Sequence, residues 1–148
     1  MIILKSGEHR DILKLTKDDK IFTIDPFFNK EESTVEKIEK VVVNAINLRM
    51  VKTEESDYLL PINQMLYEQD CGFIRVDQIY NGMSLAVCRE FPNIEFSRCK
   101  IGKPSKEMLN LLEDIGTIDK KSCMTFYRLV CSPYKPYFHN GLLTKPEN

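Results

Sequence analysis

Apolar and polar residues alternate over many short stretches of this chain, and a period of two residues predicts β-strands. Turn-forming residues bound these stretches, as Asn81-Gly82 does after the segment 72–80. The predicted strands are residues 2–4, 11–15, 21–24, 57–63, 72–80, 83–91, 94–99 and 124–131. Two further segments, 34–50 and the one that follows Pro104, do not show this plain alternation.

The segment 34–50 fits two elements. Its apolar positions recur with helical spacing, and Ser33 with Glu36 forms a possible capping box at its start. The same segment contains the β-branched run 41–43, which favours a strand. The sequence alone does not decide between a helix and a strand for this segment.

A helix is predicted after Pro104. Ser105 is a suitable N-cap, and Gly116 is a suitable C-terminal stop. Between them an apolar stripe recurs at intervals of three and four residues, formed by Met108, Leu111, Leu112 and Ile115. This segment is expected to be an amphipathic helix that follows the core strands.

The chain has 148 residues, which is the size of one domain with a substantial core. We expect a single domain over 1–148, with a core at about 8–131 and a C-terminal surface arm at about 132–148. The fold class is mainly β with helices (α+β), arranged as a small barrel or sandwich.

Charge and cysteine content narrow the functional classes. The formal net charge is −1, which argues against a generally cationic coat for nucleic acid. Five widely spaced cysteines include no CxxC pair, so neither a zinc site nor a disulfide framework is expected. No apolar stretch is long enough to span a membrane. We therefore expect a cytoplasmic protein without metal or cofactor.

The segment GFIRVDQI, residues 72–79, carries two opposite charges in an apolar setting. In a strand, Arg75 and Asp77 point to the same face, roughly 6–7 Å apart. One interpretation is an exposed ion pair of little energetic weight. The other is a site for a phosphodiester, in which Asp77 accepts a proton from a hydroxyl and Arg75 binds phosphate oxygens.

Three motifs in order resemble the PemK/Kid and MazF family of toxin endoribonucleases: LLPIN at 59–63, GFIRVDQI at 72–79 and KIGKPSKEMLNLLEDIG at 100–116. The resemblance implies an SH3-like barrel that cleaves single-stranded RNA without a metal. Asp77 would remove the 2′-OH proton, and Arg75 would stabilise the phosphorane. The substrate-binding residues would be Asn63, Gln64, Gln78 and Arg49. Expected partners are RNA, a protein or RNA antitoxin, and a second copy in a homodimer.

Several positions depart from that family. Asn63 replaces its Thr or Ser, Glu39-Lys40 stands where an Arg-Pro pair is usual, and residues 86–98 form an insertion. These departures keep a second hypothesis open, a non-catalytic protein- or RNA-binding module on the same barrel. The sequence leaves the RNA specificity and the antitoxin undefined.

Overall fold

The computed structural model describes residues 1–107 and 123–147, and these residues form strands joined by turns. The strands are β1 (Ile2–Ile3), β2 (His9–Arg10), β3 (Lys20–Ile24), β4 (Lys30–Asn44), β5 (Leu48–Lys52), β6 (Asp57–Pro61), β7 (Met65–Glu68), β8 (Gly72–Arg75), β9 (Ser84–Glu90), β10 (Asn93–Arg98), β11 (Lys100–Gly102), β12 (Cys123–Ser132), β13 (Tyr137–His139) and β14 (Leu142–Lys145). Short 3₁₀ helices span Ile12–Lys14, Ala45–Asn47 and Val76–Gln78.

The strands form three antiparallel sheets. The largest has eight strands in the order β10-β9-β7-β14-β13-β1-β2, with β8 paired to β7. Two three-stranded sheets have the orders β11-β5-β6 and β12-β4-β3. The most buried side chains come from distant parts of the chain, and Ile2, Leu66, Leu129 and Leu142 are each at most 2% exposed. The fold therefore depends on pairings between residues far apart in sequence.

The segment 34–50 forms strands, so the helix interpretation is wrong. Strand β4 pairs with β12 over ten residues, from Asn44 opposite Cys123 to Thr34 opposite Ser132. In the β-branched run, Val43 is buried whereas Val42 is 60% exposed, which is the alternation of a strand. Packing against β12 thus decides between two local preferences that the sequence leaves balanced.

Several predicted strands are confirmed, and two are shortened or lost. Strands β6, β9, β10 and β12 occupy the predicted segments, and the 86–98 insertion forms most of the β9–β10 hairpin. The segment 11–15 is a 3₁₀ helix instead, because the Asp11 carboxylate accepts from the Leu13 backbone N–H at 3.0 Å. The segment 72–80 is a strand only to Arg75, after which the chain turns.

The C-terminal residues do not form the surface arm expected over 132–148. Strand β13 pairs with β1 and β14, and β14 also pairs with β7 and β9. Phe138 and Leu143 are fully buried. The end of the chain is therefore part of the central sheet.

The predicted SH3-like barrel is also wrong. An SH3-like barrel would have been complete by about residue 131, whereas here the largest sheet needs β13 and β14. The helix predicted over 105–116 falls almost wholly outside the described residues, and so does its stripe at 108–115. Within 1–107 and 123–147, no helix is long and apolar enough to cross a membrane.

Candidate functional site

A two-residue turn joins β13 to β14 and brings several polar groups together. Asn140 and Gly141 both have positive φ, at 50° and 84°, as a type I′ hairpin turn requires. A Cβ added to Gly141 would lie 3.3 Å from the Cys88 carbonyl oxygen. The Cys88 backbone N–H also donates to the Gly141 carbonyl at 2.7 Å, which fixes the turn against β9.

The start of β1 lies against this turn. The Asn140 backbone N–H donates to the Met1 carbonyl at 2.8 Å, and the Met1 nitrogen donates to Asn140 Oδ1. Beside them, Ile2 pairs with His139 across the β1–β13 ladder. The backbone around residue 1 and the Asn140 side chain are thus held in contact.

Tyr58, on β6, contacts the turn from another sheet. Its hydroxyl donates to the Asn140 carbonyl oxygen at 2.8 Å. Burial raises the pKa of Tyr58 above its usual value, so the phenol is protonated at neutral pH and acts as a donor. The hydrogen bond polarises the carbonyl of the Asn140–Gly141 peptide bond.

His139 precedes Asn140 and is held neutral. Burial, followed by the charge of the Met1 amine, lowers the pKa of His139 to about 4. A neutral imidazole has one nitrogen able to accept a proton, so His139 has the protonation state of a general base at pH 7.

A cavity of about 370 Å³ lies between β6, β12 and the turn. Tyr58, His139 and Asn140 all line it. We call Tyr58, His139, Asn140 and Gly141 the hairpin site. The hairpin site thus combines a polarised carbonyl and a side-chain amide at Asn140 with a neutral imidazole at the preceding residue, and both residues line one cavity.

Arg75 and Asp77, the predicted catalytic pair, do lie together. Arg75 Nε and Nη2 donate to the two Asp77 oxygens at 3.1 and 3.0 Å, and Nη1 donates to Glu147 at 2.9 Å. The hydrogen bond to Asp77 is the largest cause that raises the pKa of Arg75. Two carboxylates surround one guanidinium, so the local charge disfavours a bound phosphate.

Of the predicted substrate-binding residues, Asn63 and Gln64 line one pocket with Glu147, the ion-pair partner of Arg75, and Gln78 contacts Arg75 directly. Asn63 donates to Glu147 at 3.1 Å, and Gln64 donates to the Thr144 hydroxyl at 2.8 Å. Gln78 accepts from the Arg75 backbone N–H at 3.1 Å. Arg49 donates to the carbonyls of Ile46 and Leu48, at 3.0 and 2.7 Å. Each therefore has a partner within the protein.

Thiol and metal chemistry have little support in the described part of the chain. Burial raises the pKa of Cys88 and Cys99, and it raises the pKa of Cys131 to about 12, so these thiols are poor nucleophiles. Cys71 is exposed, and slight desolvation together with the neighbouring Glu68 carboxylate raises the pKa of its thiol. Among residues 1–107 and 123–147, no group of His, Cys, Asp and Glu could hold a metal ion.

Solved structures show which fold this is. The chain is similar to a DnaB intein from Synechocystis sp. PCC 6803, with a TM-score of 0.74 and 16% identity over 99% of this chain and 94% of that one. It is also similar to the Ssp DnaB mini-intein variant M86 (TM-score 0.71, 17% identity, covering 99% and 90%). A bacterial intein-like domain from Clostridium thermocellum gives a TM-score of 0.69 at 17% identity, covering 98% and 93%. No family model and no curated protein matches the sequence. At this identity the likeness shows the intein fold alone.

The intein fold overturns the toxin hypothesis. The assignment to the PemK/Kid and MazF endoribonucleases is wrong, and the RNA substrate, the antitoxin and the family's homodimer lose their basis with it. The binding module on the same barrel is wrong for the same reason, since the barrel is absent from the described fold. Three short motifs were matched in order, but such motifs carry no information about which distant strands pair.

The hairpin site was missed from the sequence. Asn140-Gly141 stands between the apolar pairs 137–138 and 142–143, which is the signal for a two-residue hairpin. The same signal was used for Asn81-Gly82. The proximity of Tyr58 has no sequence signal, because 82 residues separate it from Asn140.

Proposed function

We propose that this chain is a self-processing domain of the intein type, which breaks a peptide bond of its own polypeptide at the hairpin site. The fold supports this class, because inteins process the chain that contains them. The observation that carries the proposal is the 2.8 Å hydrogen bond from Tyr58 to the Asn140 carbonyl, next to a neutral His139. The bond that would break is Asn140–Gly141.

The chemistry follows from the groups present. The Asn140 side-chain nitrogen attacks its own backbone carbonyl carbon and forms a five-membered succinimide. Tyr58 stabilises the oxyanion that develops on the carbonyl oxygen. His139 takes one proton from the attacking nitrogen and delivers it to the Gly141 nitrogen, which leaves as a free amine. Atoms balance within the protein, and no other reactant enters.

The side chains of the hairpin site support a single cleavage at the Asn140–Gly141 bond. Splicing would in addition join two flanking segments, through an acyl transfer to a nucleophilic side chain at a second junction. We therefore propose the cleavage step alone.

Intact-mass measurement of purified protein tests the proposal. After incubation at pH 7, we expect a fragment of residues 1–140 ending in a succinimide and a fragment of residues 141–148 with a free Gly141 amine. Their masses should sum to that of the parent chain, and succinimide hydrolysis should then add one water. Asn140→Ala should abolish both fragments.

The chain contains its own matched control. Asn81-Gly82 is a second Asn–Gly pair, also with a positive φ at the glycine. Its side-chain oxygen accepts a hydrogen bond, as that of Asn140 does, here from the Ile101 backbone N–H at 2.8 Å. The residue immediately before Asn81 is Tyr80, whereas a histidine stands immediately before Asn140. Cleavage at 140–141 without cleavage at 81–82 supports the site. Equal cleavage at both, or deamidation alone at Asn140, contradicts it.

We also infer a reducing, cytoplasmic location. Cys88, Cys99 and Cys131 are buried and form no disulfide, which is usual where glutathione keeps thiols reduced. Thiol labelling of the denatured protein, isolated from its native cell under acid quench, should modify all three. A disulfide at any of them would contradict the inference.

A further inference from the structure

Two strand edges that pair with no other strand of residues 1–107 and 123–147 face the cavity beside the hairpin site. Strand β6 is the outer strand of the sheet β11-β5-β6, and β12 is the outer strand of the sheet β12-β4-β3. Residues 57–60 of β6 and 124–127 of β12 line the same cavity of about 370 Å³. This volume lies within the usual range for ligand sites.

The outer edge of β6 presents backbone groups to the cavity. The Ile62 N–H donates to the Asn47 carbonyl at 2.8 Å, so residue 62 points toward β5. Backbone groups alternate in direction along an antiparallel strand. With the register of Leu48 opposite Pro61, residues 61 and 59 therefore point away from β5. The N–H and C=O of Leu59 lie on the open edge.

The outer edge of β12 also presents backbone groups to the cavity. The Leu129 N–H donates to the Tyr137 hydroxyl at 3.3 Å, away from its ladder partner β4. The register between β4 and β12 is regular from Cys123 to Val130. By the same alternation, the N–H and C=O groups of Tyr127 and Thr125 also point away from β4. Among the described residues, no backbone hydrogen bond reaches Leu59, Thr125 or Tyr127 at these edges.

We propose that the gap between β6 and β12 binds an extended peptide, which pairs its backbone with Leu59 on one side and with Thr125 and Tyr127 on the other. We call this gap the edge slot. A peptide added to an exposed sheet edge gains affinity from main-chain hydrogen bonds. Here two edges would contribute to one occupant.

The lining of the slot defines the side chains of that peptide. Apolar groups include Leu59, Leu60, Met124 and Phe126. Among the described residues that line the cavity, Asp57 is the one with a formal charge. An occupant with β-branched residues and one terminal Lys matches this lining in polarity and charge. This inference goes beyond the proposed cleavage and does not rest on it. Binding is measured in Asn140→Ala as well, so that a failure to bind can be told apart from a failure to cleave.

The probe is the synthetic peptide acetyl-Thr-Val-Thr-Val-Thr-Lys-amide, and titration calorimetry with amide NMR measures its binding. We expect the largest shifts at the Leu59, Thr125 and Tyr127 amides. Two control peptides carry N-methyl groups at residues 2 and 4, or at residues 3 and 5, so that each loses the donors of one edge. Each should bind at least about 10-fold more weakly, because two backbone hydrogen bonds to one edge are lost. A peptide with Glu in place of Lys should also bind more weakly, because it brings a second negative charge to Asp57.

Two pairs of variants test the edges in the protein. Leu59→Pro and Thr125→Pro remove an outward N–H without removing a ladder hydrogen bond, a position in which proline is tolerated. Leu59→Ala and Thr125→Ala shorten the same side chains but keep the N–H. We expect the proline variants to lose binding by about 10-fold relative to the alanine variants, with the melting temperature monitored for each.

Some outcomes overturn the proposal. Equal affinity for the methylated and unmethylated peptides would show that the backbone is not recognised, even if the proline variants fail to fold. The absence of binding by the parent peptide would do the same. Dimerisation that disappears in Leu59→Pro would assign the slot to a second copy of this chain instead.

Discussion

The Tyr58 hydroxyl donates to the Asn140 carbonyl oxygen at 2.8 Å, and this contact joins two different sheets. Tyr58 lies on β6, whereas Asn140 lies in the turn between β13 and β14. The contact places a protonated phenol on the carbonyl of an Asn–Gly bond. Its removal is the most direct test of the proposed chemistry.

Tyr58→Phe should slow cleavage at Asn140–Gly141. The substitution removes one donor from the developing oxyanion, and loss of such a donor typically costs about 10²–10³ in rate. The rate is measured by intact mass over time. Tyr67→Phe is the control, because Tyr67 packs on Phe28 and Phe73 away from the hairpin site. Unchanged cleavage in Tyr58→Phe would remove Tyr58 from the reaction.

His139 should make stability depend on pH. Its pKa is lowered to about 4 in the folded protein, against about 6.5 in an unfolded chain. Between these values the unfolded state binds more protons, so the free energy of unfolding falls as the pH falls from 6.5 toward 4. We expect a loss of about 1–3 kcal/mol over this window.

Urea unfolding at several pH values measures this effect. His139→Gln removes the titrating group and should flatten the curve between pH 6.5 and pH 4. His9→Gln, at an exposed position on β2, is the control and should retain the slope. Identical slopes in the parent and His139→Gln would contradict the burial of a neutral imidazole.

Gly141→Ala should destabilise the protein by about 1–2 kcal/mol, because φ is 84° and L-residues avoid the left-handed region. The new Cβ would also press on the Cys88 carbonyl at 3.3 Å. Gly102→Ala is the matched control, since a Cβ there meets open space and should change stability by less than about 0.5 kcal/mol. Chemical unfolding of both variants makes the comparison, and equal losses would rule out the turn as the cause.

The Arg75–Glu147 ion pair should contribute little to stability. Both side chains are more than a third exposed, at 36% and 39%, so solvent screens their attraction. A double-mutant cycle with Arg75→Ala and Glu147→Ala should give a coupling free energy that cannot be distinguished from zero. A clearly measurable coupling would indicate a function for this cluster beyond an exposed ion pair.

Local patterns predicted much of the secondary structure. Strands β6, β9, β10 and β12 follow from alternation and turn residues, because these signals act over a few residues. They cannot show that β14 pairs with β7 and β9, some 55–80 residues away. The fold class therefore had to come from the pairing of strands in three dimensions.

The candidate site shows the same limit. Arg75 and Asp77 were singled out because their charges stand out within eight residues, and they do form an ion pair. The hairpin site depends on β1, β6, β13 and β14 meeting. Its residues (a tyrosine, a histidine and an Asn–Gly pair) are unremarkable until the sheet assembles them.

The central position of β14 has a consequence for the reaction products. Residues 142–145 pair with β13, β7 and β9, and three of these four residues are buried. After cleavage at 140–141, the fragment 141–148 would remain bound in the sheet and form a noncovalent two-chain complex with residues 1–140. An isotopically labelled peptide of residues 141–148, added during refolding, should take the place of the original fragment. The rest of the domain would then act as a receptor for its own strand β14.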